Sequence, residues 1–504
     1  MKCMQSSSFF RFLFHRQNCG VLVSPFSTKT PNLSPFSPVK ALYDQIQIVC
    51  DPRASIIPVL DKWVEQGRSV GNKELRSLIH LMKDFNRFNH ALEISKWMTD
   101  RRYFILSPAD VAVRLELIST VHGIEHAENY FNNISNSLKS ATVYGALLSS
   151  YVRQKSIAKA EAVMQNMREM GFATTSFPYN LLINLYAQTE EHDKIDALMQ
   201  EMENLGIPHD MFTLRNRMNA YVRASDISGV EKILNRIEED PNYVFDWIVY
   251  SLAANAYLKV GLIEKTLAML NKMEGIMIPV KSKLAFQYLL SLYASIGSKN
   301  ELYRVWNLYK PLNEVHGTSY SVMITSLAKL DDIEGAEKIF QEWESRCSFY
   351  DFRILNRLLV AYCKKGLFDK AELAVKKAIK GRTPYASTWY ILAVGYSEDK
   401  QMDKAAERLK KALLVGRKGW RPRSVLLDAS LEYLEGQGDV KEIEEIITLL
   451  KNTGALTRNN YHSLLRAFVR IGKSVSDVLD QMERDGFTAN EETHRILEMR
   501  PSLM

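Results

Sequence analysis

Two stretches of the chain carry residues whose types and spacing could support catalysis. In His122-Gly-Ile-Glu125-His126 the spacing is that of a metalloprotease pattern, two histidines holding zinc with a glutamate as base. That chemistry needs both imidazoles on one face of one unbroken helix. Gly123 falls where the apolar pattern breaks, so a turn is expected between the histidines and no metal is assigned. Ile471-Gly472-Lys473-Ser474 ends as a phosphate-binding loop ends, but Ala467 stands where the first glycine of that motif belongs, and a helix precedes it where a strand is required. The five cysteines (Cys3, Cys19, Cys50, Cys347, Cys363) are scattered and lack C-x-x-C spacing, which favours neither a zinc site nor a disulfide framework. No other His, Asp or Glu grouping has convincing geometry, so the chain reads as a non-enzyme without a cofactor.

A different chemistry comes from six cations in one register. Arg153, Arg223, Lys259, Lys329, Lys364 and Arg470 each stand at the thirteenth place of a recurring segment, just before its polar break. Gln188 and Ser295 interrupt the series, and Asp84 and Glu398 oppose it. Equivalent residues of stacked segments form a line, and a line of cations can follow phosphates. The local alternative is that a cation at a helix C-terminus complements the helix dipole, worth roughly 0.3–1 kcal/mol.

The segments that must position these residues are helical hairpins. Tyr179, Leu182, Ile183 and Tyr186 share one helical face, and after a polar break Ile195, Leu198, Met199 and Met202 repeat the spacing. Gly206 and Pro208 stop the second helix. The unit is 35 residues long, and copies start near 72, 107, 141, 176, 211, 247, 283, 317, 352, 386, 424 and 458, in steps of 34–38 residues. One hairpin cannot bury both apolar stripes alone, so neighbouring copies must stack.

The Tyr-Asn-x-Leu-Ile-x-x-Tyr-like run at Tyr179–Tyr186, the Met202–Gly206 close and the 35-residue step resemble the pentatricopeptide-repeat family over roughly 72–490. The resemblance implies an all-α, right-handed superhelical solenoid of about eleven helix-turn-helix repeats, with first helices lining the concave face. It also implies that the thirteenth-place cations contact phosphates. The fifth and last residues of each repeat would then choose a base of single-stranded RNA. Asn180/Asp210 resembles a uridine-selecting pair and Ser321/Asp351 a guanine-selecting one. Arg215/Asp246, Ser251/Ser282, Gly145/Thr175 and Gln287/His316 are less legible, and Asn356 has an uncertain partner near Tyr385. The expected role is binding of mitochondrial transcripts in stabilisation, processing or translation, alongside other RNA-processing proteins. The alternative is a structural or assembly protein of the mitochondrial ribosome, or a protein-binding helical scaffold.

The start of the chain differs from the rest. Before Asp44 there are Lys2, Arg11, Arg16, Lys29 and Lys40, many Ser and Phe, and no acid. This reads as a transit peptide over 1–43, cleaved near 27, and directs the protein to the mitochondrion, with the chloroplast as alternative. Residues 44–71 read as a helical cap and 491–504 as a tail. No run of 18 apolar residues exists, so no membrane span is expected. Without the leader, 60 basic residues face 58 acidic ones, a balance of +2 against +7 for the whole chain. Net charge alone therefore does not mark a nucleic-acid binder.

Overall fold

The computed structural model describes residues 38–49, 54–68, 70–101, 104–240, 243, 246–280, 282–311, 315, 317–347 and 349–498. The expected leader up to residue 37, its cleavage region near 27, and His316 lie outside them. Among the described residues 27 α-helices follow one another and no strand occurs. None of these helices is long and apolar enough to cross a membrane.

The helices come in pairs. An opening pair is α1 (Pro38–Ile48) and α2 (Ile57–Glu65). Next are α3 (Asn72–Asp84) with α4 (Phe88–Asp100), α5 (Pro108–Val121) with α6 (Ile124–Asn133), α7 (Ala141–Arg153) with α8 (Ile157–Glu169), and α9 (Ser176–Thr189) with α10 (His192–Asn204). Then follow α11 (Met211–Ala224) with α12 (Ile227–Glu239), α13 (Trp247–Lys259) with α14 (Ile263–Val280), α15 (Lys283–Ile296) with α16 (Lys299–Tyr309), and α17 (Gly317–Lys329) with α18 (Ile333–Arg346). The last are α19 (Phe352–Lys364) with α20 (Phe368–Ala378), α21 (Ala386–Glu398) with α22 (Met402–Leu414), α23 (Ser424–Gln437) with α24 (Val440–Thr453), and α25 (Arg458–Arg470) with α26 (Ser476–Arg484), before a closing α27 (Glu491–Glu498). Every first helix from α3 to α25 begins within one residue of the start expected from periodicity.

Two compact units divide the chain, residues 1–220 and 221–504. In the first, α5, α7 and α9 lie side by side; in the second, α13, α15, α17, α19 and α21 do, as do α23 and α25. The second helix of a pair packs on its own first helix and, at most junctions, on the next one, for example α8 on α7 and α9. The apolar stripes meet in these contacts. Tyr179, Leu182, Ile183 and Tyr186 are buried, as are Ile195, Leu198 and Met202, while Met199 is only partly covered. The opening pair buries Leu42, Ile46, Ile56, Leu60 and Trp63 and so covers the end of the stack. Its helix starts at Pro38, six residues ahead of Asp44, because proline suits the first turn of a helix where its missing N–H is not needed. At the other end α27 packs on α25, with Thr493 Oγ1 3.0 Å from His462 Nε2.

Two first helices break the apolar pattern for a physical reason. At the seventh place, where most repeats carry an aliphatic residue, α5 has Arg114 and α11 has Arg217, 8% and 5% exposed. Arg114 donates to Ser95 Oγ at 2.9 Å and to the Ser95 carbonyl, and Arg217 pairs with Asp196. Each buried guanidinium is thus matched by acceptors from the preceding hairpin, as a buried charge requires.

The turn inside the hairpin is also repeated. In eleven pairs the fifteenth residue has φ between +56° and +87°; five are glycines and six are Asn86, Lys155, Glu190, Ser225, Asp331 and Lys400. A side chain in this left-handed region costs about 1 kcal/mol. Nothing lies within 4 Å of the site a Cβ would occupy on Gly366, so backbone strain alone decides the outcome there. Gly366→Ala should therefore lower stability by about 1 kcal/mol, measured by thermal unfolding of the purified chain. An unchanged transition would refute the assignment.

Carboxylates of one hairpin fasten the next. Glu128 accepts from Tyr151 Oη at 2.8 Å and Lys159 Nζ at 2.6 Å; Glu161 from Tyr186 at 2.7 Å and Lys194 at 2.9 Å. Glu231 repeats this with Tyr257 and Lys265, and Glu337 with Tyr362 and Lys370. The lysine also sits over the tyrosine ring, as for Lys265 at 5.5 Å from the Tyr257 centroid. Burial, aided by the carboxylate, pushes the Tyr257 phenol up to about 12, so it stays a donor at any physiological pH. Much of the chain's acidity is thereby spent on joints between hairpins.

Candidate nucleic-acid interface

Helix ends decide where the six cations stand. Arg153, Lys259, Lys329, Lys364 and Arg470 are the last residues of α7, α13, α17, α19 and α25, and Arg223 is the last but one of α11. All six are exposed. Three of them lean on the preceding hairpin. Arg153 Nη1 donates to Thr120 Oγ1 at 2.6 Å, Lys329 Nζ to Ser295 Oγ at 2.6 Å and Lys259 Nζ to the Val222 carbonyl at 3.0 Å. Thr120 and Ser295 themselves stand near the ends of α5 and α15, so within each unit these side chains point along the stack. Packing around the stem pulls the Lys329 ammonium below its ordinary range. Burial does the same to Lys364, opposed by the nearby Glu398.

At the other end of the first helices, fifth-place side chains bridge to the start of the next repeat. Asn180 Nδ2 donates to Asp210 Oδ1 at 3.1 Å, so the structure brings this expected pair together. Asp210 also accepts from Ser176 Oγ at 2.5 Å and from the Thr213 N–H at 2.8 Å. Burial raises the affinity of Asp210 for a proton, but these bonds outweigh it and hold the carboxyl below the usual carboxylate range. Asn180 Oδ1 is buried without a partner. Asn356 has the same arrangement: its Nδ2 donates to Ser387 Oγ at 3.1 Å and its Oδ1 is unpaired. Its partner is therefore two residues beyond Tyr385. Gln287 reaches Ser319 Oγ at 3.0 Å, and Arg76 reaches Asp110 at 2.7 Å.

Two other expected pairs, Ser321/Asp351 and Ser251/Ser282, are not joined. Asp351 is held by Arg353, whose Nη2 lies 2.7 Å away, and it caps α19 through the Arg353 N–H, while Ser321 forms no hydrogen bond to it. Ser251 turns back to the Ile248 carbonyl at 2.8 Å, and Ser282 caps α15. Arg215 lies over the Phe212 ring at 4.8 Å, and Asp246 caps α13 by accepting from Ile248 N–H and Val249 N–H. Periodicity did not single out Phe177, which is 53% exposed one turn before Asn180 and covers Gly145, where a Cβ would come within 3.0 Å of its ring. An exposed ring beside a polar pair offers a face on which a base can stack.

Neither catalytic-looking stretch has the geometry its chemistry requires. Gly123, at φ +94°, separates α5 from α6, so His122 and His126 do not share a helix. Gly472 follows the end of α25. Among the described residues no group of three or more His, Cys, Asp or Glu is placed to hold a metal ion.

Comparison with known proteins gives a consistent picture. The PPR repeat profile matches residues 177–207, 318–348 and 353–380, and the pentatricopeptide repeat domain profile matches 139–189. A mitochondrial pentatricopeptide repeat-containing protein of Arabidopsis thaliana is 41% identical over 425 residues, covering 84% of this chain and 87% of the relative. The large ribosomal subunit protein mL101 of the same plant is 36% identical over 445 residues, covering 87% and 90%. Among solved structures, that of the maize pentatricopeptide repeat protein PPR10 aligns with a TM-score of 0.43 at 17% identity, covering 88% of this chain and 68% of that one.

Proposed function

This chain belongs to the pentatricopeptide-repeat family, and on that premise we propose that it binds single-stranded RNA in an organelle, as a non-enzymatic holder of transcripts. The observation that carries the reading is a two-edged arrangement distributed over the array, with the cation in six repeats and the bridge in a few. Cations in one register end the first helices, and polar bridges such as Asn180–Asp210 begin them. A strand lying across the first helices would meet cations at one edge and amides, carboxylates and exposed rings at the other. Phosphates and base edges call for those two sets of groups. Bound RNA would be shielded from nucleases or kept open for processing and translation. The mitochondrion is the favoured compartment, supported by the acid-free leader and by relatives named as mitochondrial; the chloroplast is second.

Base choice at Asn180 has a direct test. The Asp210 carboxylate can accept from one base edge, and the second N–H of Asn180 Nδ2 can donate to it. Asn180→Ala should relax preference at a single position of the bound oligonucleotide, by about 1–3 kcal/mol of discrimination, while leaving the salt dependence of binding unchanged. Competition among oligonucleotides randomised at each position reads this out. A uniform loss at all positions would contradict it.

A second reading, attachment to the mitochondrial ribosome, is favoured by the relative named as a large ribosomal subunit protein. Gentle lysis of organelles, nuclease treatment and sizing separate the two. Release from one or a few transcripts supports transcript binding, and co-migration with a nuclease-resistant ribosomal subunit supports the second reading.

A further inference from the structure

Residues 373–427 hold thirteen Lys and Arg against four Asp and Glu, a local balance of +9 that exceeds the +7 of the whole chain. The structure sorts these cations into two kinds. Arg408 and Lys410 are bound by Glu372, Glu442 and Glu445 as joints between helices, and Lys411 by Glu407 within α22. A second set sits where one hairpin passes to the next. Lys376, Lys377 and Lys380 lie at the end of α20 and just beyond it, and Arg417, Lys418 and Arg421 lie between α22 and α23. All six are exposed, and among the described residues none forms an ion pair.

The segment bearing Arg417, Lys418 and Arg421 is built rather than loose. The Gly419 N–H donates to the Thr453 carbonyl at 2.7 Å and the Trp420 N–H to the Arg417 carbonyl at 2.9 Å. Trp420 stands edge-on to Tyr390 at 5.9 Å, and Arg421 Nη2 donates to the Gly454 carbonyl at 3.3 Å. In the preceding inter-hairpin loop Arg382 lies over Tyr350 at 4.4 Å, and Tyr385 meets Phe352 at 5.7 Å. Two rings on inter-hairpin loops are exposed, Tyr385 at 43% and Phe349, in the loop before α19, at 90%. These loops join second helices to the next first helices, so they lie at the ends of the hairpins away from the turns that follow Lys329 and Lys364.

We propose that the two loops form a second RNA-contacting surface in the 221–504 unit, on the edge away from the thirteenth-place cations. Lys376, Lys377, Lys380, Arg417, Lys418 and Arg421 hold phosphodiesters there, and Phe349 and Tyr385 offer faces to unpaired bases. The surface rests on the reading of the chain as an RNA binder and extends it. Unpaired cations interleaved with exposed aromatics suit a strand that presents both phosphates and π faces. An acidic protein would use the cations and leave the rings without a matching group.

The test uses the full chain and a labelled polyuridylate of about 30 nucleotides, with affinity measured between about 50 and 200 mM salt. Lys376→Ala/Lys377→Ala/Lys380→Ala and Arg417→Ala/Lys418→Ala/Arg421→Ala should each make the log–log salt slope shallower by up to about 2, since each single-strand phosphate contact contributes about 0.7. Each should also weaken binding at least several-fold at the lowest salt. Arg417→Lys/Arg421→Lys should retain the slope. The substituted residues make no ion pairs, and only Arg421 gives up a side-chain hydrogen bond, the exposed one to the Gly454 carbonyl, so the melting curves of the alanine variants should stay close to that of the unmodified chain. If the unmodified chain binds and both triple variants keep its affinity and slope, this surface falls while the proposed function stands. If the unmodified chain binds no RNA, both fall. A photocrosslinker at position 418 that captures an acidic polypeptide and no RNA would likewise overturn the assignment.

Discussion

Lys259→Ala, Lys329→Ala and Lys364→Ala, combined, should weaken binding of single-stranded RNA by about 100-fold near 0.1 M salt while leaving affinity near 1 M almost unchanged. The figure follows from counterion release, in which three lost contacts at about 0.7 each reduce the slope by about 2. A 100-fold loss corresponds to about 2.7 kcal/mol. The geometry makes the substitutions clean. All three side chains are exposed at the ends of first helices; Lys259 donates to the Val222 carbonyl and Lys329 to Ser295 Oγ. The control is a second triple variant, Lys265→Ala/Lys272→Ala/Lys370→Ala. Those lysines sit on second helices and are paired with Glu231, Glu238 and Glu337. Their loss should loosen joints between hairpins without altering the salt slope. Equal effects of the two triple variants would mean that placement is irrelevant and only total charge counts; no effect of the first would remove the phosphate track.

This contrast explains what the sequence made legible. Repeat starts were readable because each hairpin must bury the same stripe, so Tyr179, Leu182, Ile183 and Tyr186 recur in kind across the array. The helices at 108 and 211 depart from the stripe, since Arg114 and Arg217 occupy core places, and only the acceptors of the preceding hairpin show why that is tolerated. The register of the thirteenth-place cations follows from counting, whereas their lean onto Thr120, Val222 and Ser295 depends on side-chain geometry. Asn180 and Asp210 meet because a helix start and the next hairpin's start are adjacent in any such stack. Asp351 turns to Arg353 instead, since a neighbouring cation two residues away competes with any partner across the repeat. The near-neutral balance concealed most. Carboxylates such as Glu128, Glu161 and Glu337 are tied to lysines on second helices, so a sum over the chain cancels charges that are spatially separate. For the same reason the +9 of residues 373–427 disappears into the total.

Trp306→Ala should destabilise the chain by about 3–5 kcal/mol, the range for removing a large buried aromatic. Trp306 is 1% exposed on α16 and is wedged between hairpins, with Tyr309 at 6.1 Å and Tyr320 edge-on at 5.4 Å. Trp306→Phe should cost far less. The indole N–H is buried without an acceptor, so its removal relieves a desolvation penalty of about 1–3 kcal/mol that partly offsets the smaller ring. The damage should also be local. In a stack whose hairpins touch only their neighbours, stability is close to a sum of repeat and interface contributions. Hydrogen exchange in Trp306→Ala should therefore accelerate across α15–α18 (residues 283–346), with little change in α7–α9. Uniform acceleration over the whole chain would mean that the array opens as one block. In that case a local lesion would also release RNA along its full length, and repeat-by-repeat recognition would lose its physical basis.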